Sequence, residues 1–398
     1  MRVLMTTRGS SGHVGPLTPF GHACLRAGHD VLVAAQRQFQ GNVERARLPF
    51  APVAEPARED WMPLMGEFSQ MSFEAANARM VGDFFGRLDT AAALPDLRAI
   101  VEDWRPDVIV RESWEYGGAL VAERYGIPLA RVGLGLAAVE ELTIGWAAAG
   151  VDASRAELGL PADPAGDRLR DAPYLTTIPA PLEDPTVAEP RVTHRFRAGA
   201  FAEPAPLPAD WWPGNDDPIV YATFGSVTAA PHLPYYPVLY RGLIDELGPL
   251  PVRLLITVGE ARDFSELGPL PPNVRVERWV PQDDVAPHAA AIVCHGGHGS
   301  TLGALAHGIP LVVVPLFSVD QVANGTAVAR AGAGVTLDDD IGVRTVLEPG
   351  SVDGLGPVVE ALLADDGARR AAEGIAAAMR ALPPADGAVD VLAALARD

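Results

Sequence analysis

Lysine is absent from this chain: all 31 residues counted as Lys plus Arg are arginine. That excludes a P-loop lysine, a pyridoxal Schiff base and any lysine nucleophile. Cysteine is nearly absent. Cys24 and Cys294 fall inside apolar runs, without metal-ligand spacing, and read as buried free thiols of a reducing compartment. Positive charge is scarce against 51 acids, and a net charge of −20 argues against nucleic acid or anionic lipid as a partner. No apolar run has the length of a membrane-spanning helix; residues 132–151 come nearest and hold Glu140 and Glu141. Residues 1–7 are too short an apolar run for a signal peptide. A cytoplasmic protein without a membrane span is expected.

What is present is apolar and rhythmic. A hydrophobic content of 48% in 398 residues supports burial but exceeds one ordinary core, so two domains are expected. Residues 2–6 read as a buried strand. Gly9-Ser10-Ser11-Gly12-His13-Val14-Gly15 reads as a turn, with Pro16 opening a helix that runs to about Ala27 and stops at Gly28. A second strand at 30–35 completes a βαβ unit and implies a parallel sheet. The turn lacks G-x-G-x-x-G spacing, and Gln36 and Arg37 stand where an acid would cap the second strand, so a nicotinamide or flavin site is disfavoured. A strand at 107–110 leads to Arg111-Glu112-Ser113-Trp114, then a helix at 117–125 and a strand at 129–132. His13 and Glu112 thus both follow the carboxyl end of a parallel strand, where open α/β sheets bind ligands.

From Pro179 to Pro218 the chain is proline-rich and reads as a linker. The rhythm then restarts with strands at 219–224, 252–258 and 274–277. Asp338, Asp339 and Asp340 read as a solvated acidic turn in a loop, not a metal site. Residues 293–321 hold the densest chemistry: a strand ending at Cys294, the turn His295-Gly296-Gly297-His298-Gly299-Ser300-Thr301, a helix from near Leu302 and a strand at 309–316. A glycine-rich turn feeding a helix offers unpaired amides and the positive end of the helix dipole, which suits a phosphate. Between Trp61 and Phe85 methionines and aromatics crowd irregularly. A helical core or an adaptable pocket for a bulky apolar ligand would each use such residues.

Gly12-His13-Val14-Gly15-Pro16 at the front, with Trp279-Val280-Pro281-Gln282 through Asp320-Gln321 at the back, give the chain a resemblance. Over essentially its full length it resembles a GT-B nucleotide-sugar-dependent glycosyltransferase of the actinobacterial natural-product (antibiotic) type. The resemblance implies an α/β fold of two Rossmann-like domains facing across a cleft: an acceptor-binding domain at 1–200, a linker at 201–217, a nucleotide-sugar-binding domain at 218–380 and a C-terminal helix at 381–398 packing back on the first domain. It implies that Trp279 stacks on the nucleobase while the Val280 backbone pairs with its edge, with Gln282 beside them. His295, Gly297, Gly299, Ser300 and Thr301 would hold the diphosphate, helped by Ser226, and Asp320 and Gln321 the sugar hydroxyls. His13 would be the general base and Glu112 its orienting acid, in place of the aspartate of many relatives. Trp61, Met62, Met65, Phe68, Met80, Phe84 and Trp114 are the candidates for the acceptor wall. Plant relatives have a ribose-gripping glutamate where this chain has Gly303, which favours a dTDP-sugar over a UDP-sugar.

The chemistry stands beside the resemblance. Transfer to an alcohol needs a base near the operating pH, and histidine fits. A carboxylate on its far nitrogen fixes the tautomer and stabilises the imidazolium. The helix N-terminus and His295 would meet the charge of the leaving diphosphate, so neither a metal nor a cofactor is required. A direct displacement inverts the anomeric centre. The expected partners are a sugar donor and a small-molecule aglycone, in a monomer or homodimer. A nucleotide-sugar epimerase would not need the apolar stretch at 61–85. A silent nucleotide-sugar-binding activator of another transferase would not need His13 and Glu112.

Overall fold

A computed structural model describes residues 1–198, 205–225, 228, 235–259, 263–337 and 352–397. The chain forms two compact units, one of Met1–Pro179, Glu183–Gly199 and Ala381–Asp398, the other of Ala180–Leu182 and Ala200–Arg380.

The first unit is built on seven parallel strands: β1 (Arg2–Thr6), β2 (Asp30–Gln36), β3 (Phe50–Val53), β4 (Val108–Glu112), β5 (Leu129–Val132), β6 (Tyr174–Thr176) and β7 (Thr193–Arg195), in the order β3-β2-β1-β4-β5-β6-β7. Helices cover both faces, so the central strands carry continuous apolar runs, and Val3, Leu4, Met5, Val108, Ile109 and Val110 are fully buried. Leu17, Phe20 and Cys24 of the helix Ser11–Arg26 join this core, as does Leu392 of the C-terminal helix Ala388–Leu395. The strands β6 and β7 fall where proline and glycine hid any strand pattern.

The first helix begins at Ser11, ahead of Pro16, and carries Pro16 and Pro19 inside it. A proline in a helix lacks the N–H that bonds four residues back, and its ring presses on that carbonyl. Here the residues four back are Gly12 and Gly15, each with open space where a Cβ would stand, so the backbone can give way. The Ser10 carbonyl accepts the amides of His13 and Val14, both at 2.9 Å. His13 therefore sits in the first helical turn, not in a loop before it.

The stretch after Trp61 is helical: Arg58–Glu67, Phe73–Arg79, then a π-helical segment, Met80–Asp89. Its glycines meet the helix Ala137–Glu157 backbone to backbone. A Cβ on Gly82 would stand 2.7 Å from the Trp146 carbonyl oxygen, and one on Gly150 would stand 2.3 Å from that of Gly82. This contact seats the wide-turned segment and points Phe84, Phe85 and Asp89 at the end of β1.

Among its described residues the second unit has six parallel strands: β8 (Ile219–Thr223), β9 (Arg253–Thr257), β10 (Val274–Glu277), β11 (Ala289–Cys294), β12 (Leu311–Val313) and β13 (Gly334–Thr336), in the order β10-β9-β8-β11-β12-β13. β13 comes just before the expected acidic loop at 338–340, which lies outside the described residues. The helix after β11 starts at His298, ahead of Leu302. Among the described residues no helix is long and apolar enough to cross a membrane.

Candidate active site

In both sheets the strand order switches sides beside the first strand: β4 lies across β1 from β2, and β11 across β8 from β9. At such a point the carboxyl ends of the strands leave a crevice. The chemistry-bearing side chains of each unit collect there.

In the first unit Glu112 is the last residue of β4, not past it, and is fully buried. Its Oε1 lies 2.7 Å from His13 Nδ1 and accepts the Arg8 amide at 3.3 Å; its Oε2 accepts the Trp114 amide at 2.6 Å. Burial alone would push this carboxyl up. The charge and hydrogen bond of His13, the Trp114 amide and the Arg8 charge outweigh it and hold Glu112 below the ordinary carboxylate range. An ionised acceptor on Nδ1 keeps the proton there and leaves Nε2 with a free lone pair. His13, its side chain 15% exposed, is equipped to take a proton.

A series of rings runs to the imidazole. Trp61 and Phe84 lie 6.1 Å apart, Phe84 and Phe85 5.7 Å, Phe85 and Trp114 5.8 Å, and Trp114 and His13 5.9 Å. Three of the expected apolar residues, Trp61, Phe84 and Trp114, thus belong to one wall, joined through Phe85. Met65, Phe68 and Met80 are half-buried on the same helical stretch, and Met62 is exposed.

Sequence motifs missed a polar layer beneath this wall. Arg8 Nε donates to Asp89, and Asp89 Oδ1 accepts Gln36 Nε2 at 2.6 Å. Glu115 accepts the Thr6 hydroxyl and, at 2.9 and 3.0 Å, the Gly118 amide. Burial pushes the Glu115 carboxyl up to about 7. Arg8, Gln36, Phe85, Asp89, Trp114 and Glu115 surround a cavity of about 20 Å³. Arg8 and Glu115 stand at the carboxyl ends of predicted strands, the signal that singled out His13 and Glu112. Asp89 left none, because its place depends on the π-helical segment.

In the second unit the turn after β11 is set by glycines. Gly296 has a φ of +84°, and a Cβ there would stand 2.6 Å from the Gln321 carbonyl oxygen. A Cβ on Gly297 would stand 2.4 Å from His295 Nε2. The helix His298–Ala306 has no acid in its first turn and no side chain capping it. Its first intrahelical bond runs from the Thr301 amide to the Gly297 carbonyl at 3.0 Å, so the amides of Gly299 and Ser300 have no acceptor within the helix.

Not every expected donor residue is free to act as supposed. Burial pushes the His295 imidazole down to about 4, a bond to the Thr223 backbone pulling it back only in part, and Nδ1 is sealed without a partner. Burial thus favours the uncharged imidazole, which weighs against the charged role expected of His295. Thr301 is 2% exposed, its hydroxyl beside the Cys294 thiol, while Ser300 stays half-buried. Both cysteines are buried and free. Gln321 is buried and its Oε1 accepts the amides of Leu316 and Phe317 at 2.8 and 3.1 Å, which holds the loop before the helix Val319–Arg330. Asp320 accepts the Ser318 hydroxyl. Trp279 is 68% exposed, with Val280 half-buried beside it. Gln282 Nε2 donates to the Ser300 carbonyl at 2.9 Å and lies where a Cβ on Gly303 would approach to 2.7 Å. Ser226 and the acids Asp338, Asp339 and Asp340 lie outside the described residues. Among the described residues no cluster of three or more His, Cys, Asp or Glu could hold a metal ion.

The fold is shared with solved glycosyltransferases. SnogD from Streptomyces nogalater matches at a TM-score of 0.73 and 26% identity, covering 100% of this chain and 99% of that one. SsfS6 from Streptomyces sp. SF2575, complexed with thymidine diphosphate, matches at 0.71 and 26%, covering 98% and 99%. The class is therefore that of the GT-B glycosyltransferases. Residues 22–181 and 241–395 match the N-terminal and C-terminal domains described as erythromycin biosynthesis protein CIII-like. L-demethylnoviosyl transferase of Streptomyces niveus is 34% identical over 97% of this chain and 100% of its own length. The chain belongs to the erythromycin biosynthesis protein CIII-like family of glycosyltransferases, the antibiotic type its motifs resemble.

Proposed function

We propose that the protein is an inverting O-glycosyltransferase moving a sugar, preferably a deoxysugar, from a thymidine diphosphate donor to a hydroxyl of a bulky apolar natural product. The observation that carries this reading is the His13–Glu112 pair, 2.7 Å apart at the switch point of the first sheet and flanked by the aromatic series. His13 Nε2 takes the acceptor hydroxyl proton as that oxygen attacks the anomeric carbon, and Glu112 steadies the imidazolium. The bond from the anomeric carbon to the diphosphate breaks on the opposite face. The amides opening the helix His298–Ala306, with Ser300, meet the charge left on the diphosphate, and His295 contributes a neutral contact. The exposed face of Trp279 takes the nucleobase, the Val280 backbone its edge, and Asp320 the sugar hydroxyls.

The thymidine preference is supported by Gln282, which fills the space at Gly303 where plant relatives keep an acid for ribose. SsfS6, which is similar along its length, binds thymidine diphosphate. Thermal shifts with dTDP and UDP test the preference, since a hundredfold excess over Kd stabilises by about 2.7 kcal/mol. Equal shifts for the two would remove it. His13→Ala should abolish turnover while the dTDP shift survives; a variant with near-normal turnover would show that the base lies elsewhere.

A further inference from the structure

We propose that Arg8 is an acceptor-binding residue, selecting aglycones that carry an anionic or carbonyl oxygen beside the hydroxyl to be glycosylated. The inference rests on the acceptor reading of the first unit given above. Arg8 stands two residues past the end of β1, and its main chain is tied to the proposed catalytic pair: the Arg8 amide and His13 Nδ1 share the same carboxylate oxygen of Glu112, at 3.3 and 2.7 Å. Its side chain lies against the aromatic wall. The guanidinium carbon is 3.5 Å from the centre of Phe85, and Phe85 is 6.5 Å from His13, so the cation stands no more than 10 Å from the imidazole.

A guanidinium carries five N–H donors in a planar fork. Arg8 spends Nε on Asp89. Its two terminal nitrogens have no partner among the described residues, yet they are not sealed from solvent, and the side chain is 13% exposed. Asp89 is itself shared with Gln36, and burial pushes its carboxyl up against the pull of Arg8, so it balances the cation incompletely. The result is a half-buried cation with its back on an aromatic face and its fork open, inside a wall of Trp61, Phe84, Phe85 and Trp114. Two adjacent oxygens on a flat ring are the group that such a fork holds in bidentate fashion. A cation so near also favours the ionised form of a phenolic or enolic hydroxyl, which eases the work of His13.

A purely structural Arg8 would pin the segment Met80–Asp89 through Asp89 and show no preference among acceptors. The probes that separate the two are 1-hydroxy-2-naphthoate and 1-naphthol, equal in ring and hydroxyl but not in charge. Binding is measured by calorimetry on the whole protein, and by the fluorine resonance of Trp114 after 5-fluorotryptophan labelling, assigned through Trp114→Phe. Wild type should bind the naphthoate about tenfold or more tightly than the naphthol. Arg8→Gln should bring that ratio near one, the naphthoate losing far more affinity than the naphthol. Asp89→Asn, which removes the counter-charge and keeps Arg8, should raise the ratio, and it decides the matter if Arg8→Gln does not fold. A wild-type ratio near one, a ratio unchanged in Arg8→Gln, or a ratio that fails to rise in Asp89→Asn overturns the proposal. If Trp114 responds to both probes with equal affinities, the acceptor site stands and only the role of Arg8 falls. If Trp114 responds to neither, both fall.

Discussion

Replacing Glu112 by glutamine exchanges one oxygen for a nitrogen, and the geometry says where that nitrogen goes. Oε2 accepts the Trp114 amide at 2.6 Å, a donor that cannot reverse, so the carboxamide oxygen is held there. Its NH₂ then faces His13 Nδ1 and the more distant Arg8 amide, 3.3 Å away. His13 answers by accepting at Nδ1 and moving its proton to Nε2, the nitrogen that the proposed mechanism needs free to take one from the acceptor. The fold should persist, since only one long bond is lost. Wrong-tautomer substitution of the acid in a Ser-His-Asp triad lowers kcat by about 10⁴, and general-base catalysis by a side chain contributes about 10²–10⁴. Glu112→Gln should therefore lower kcat between about 10²- and 10⁴-fold, or ~3–5 kcal/mol on the barrier. The assay is initial rates of nucleoside diphosphate release with any alcohol acceptor that the wild type turns over, with the dTDP thermal shift as control for the donor side. A variant retaining more than a tenth of wild-type kcat would refute the reasoning, whatever its affinity for donor.

Three other outcomes are expected. Glu115 is lifted by burial from an ordinary 4.5 to about 7. The folded state thus holds a proton that the unfolded state has already lost, and stability falls by about 3 kcal/mol as pH rises through that window, then levels off. Glu115→Gln should remove that slope in chemical denaturation; curves for the two proteins that stay parallel from pH 4.5 to 7 would contradict it. Gly297→Ala drives a methyl into His295 Nε2 and should cost about 1–3 kcal/mol of stability with loss of the dTDP shift, so a variant melting and binding like wild type is the disproof. Trp279→Ala should weaken dTDP about tenfold at unchanged melting temperature, because aromatic stacking on a base contributes ~1–3 kcal/mol and the ring is 68% exposed; unchanged affinity would move the nucleobase elsewhere.

The βα rhythm and both glycine-rich turns were legible because parallel strands buried on two faces are short apolar runs bounded by glycine and proline. Placing His13 and Glu112 at strand ends needed only that rhythm. The helix starts were not legible: Pro16 looks like a first helical residue until Gly12 is seen to relieve it, and Ser300 and Thr301 look like turn residues though they stand in a helix. Arg8 and Asp89 are 81 positions apart and meet through a π-helical turn seated by Gly82 and Gly150. No local period records such a contact. The close packing of His295 among Gly225, Gly297 and Phe224 was not legible for a related reason, since no local pattern records it.

The pairing of β1 with β4 sets Thr6 against Arg111, one residue short of Glu112. His13 follows on a helix that starts soon after β1, so no flexible linker stands between that register and the 2.7 Å contact. A small slide of one central strand along the other would then shift Glu112 against His13, the proposed base. Conservative changes at Met5 or Val110, both fully buried there, should then dull catalysis well before they loosen the fold. For this enzyme turnover is the finer gauge of how its core is packed, and melting temperature the coarser one.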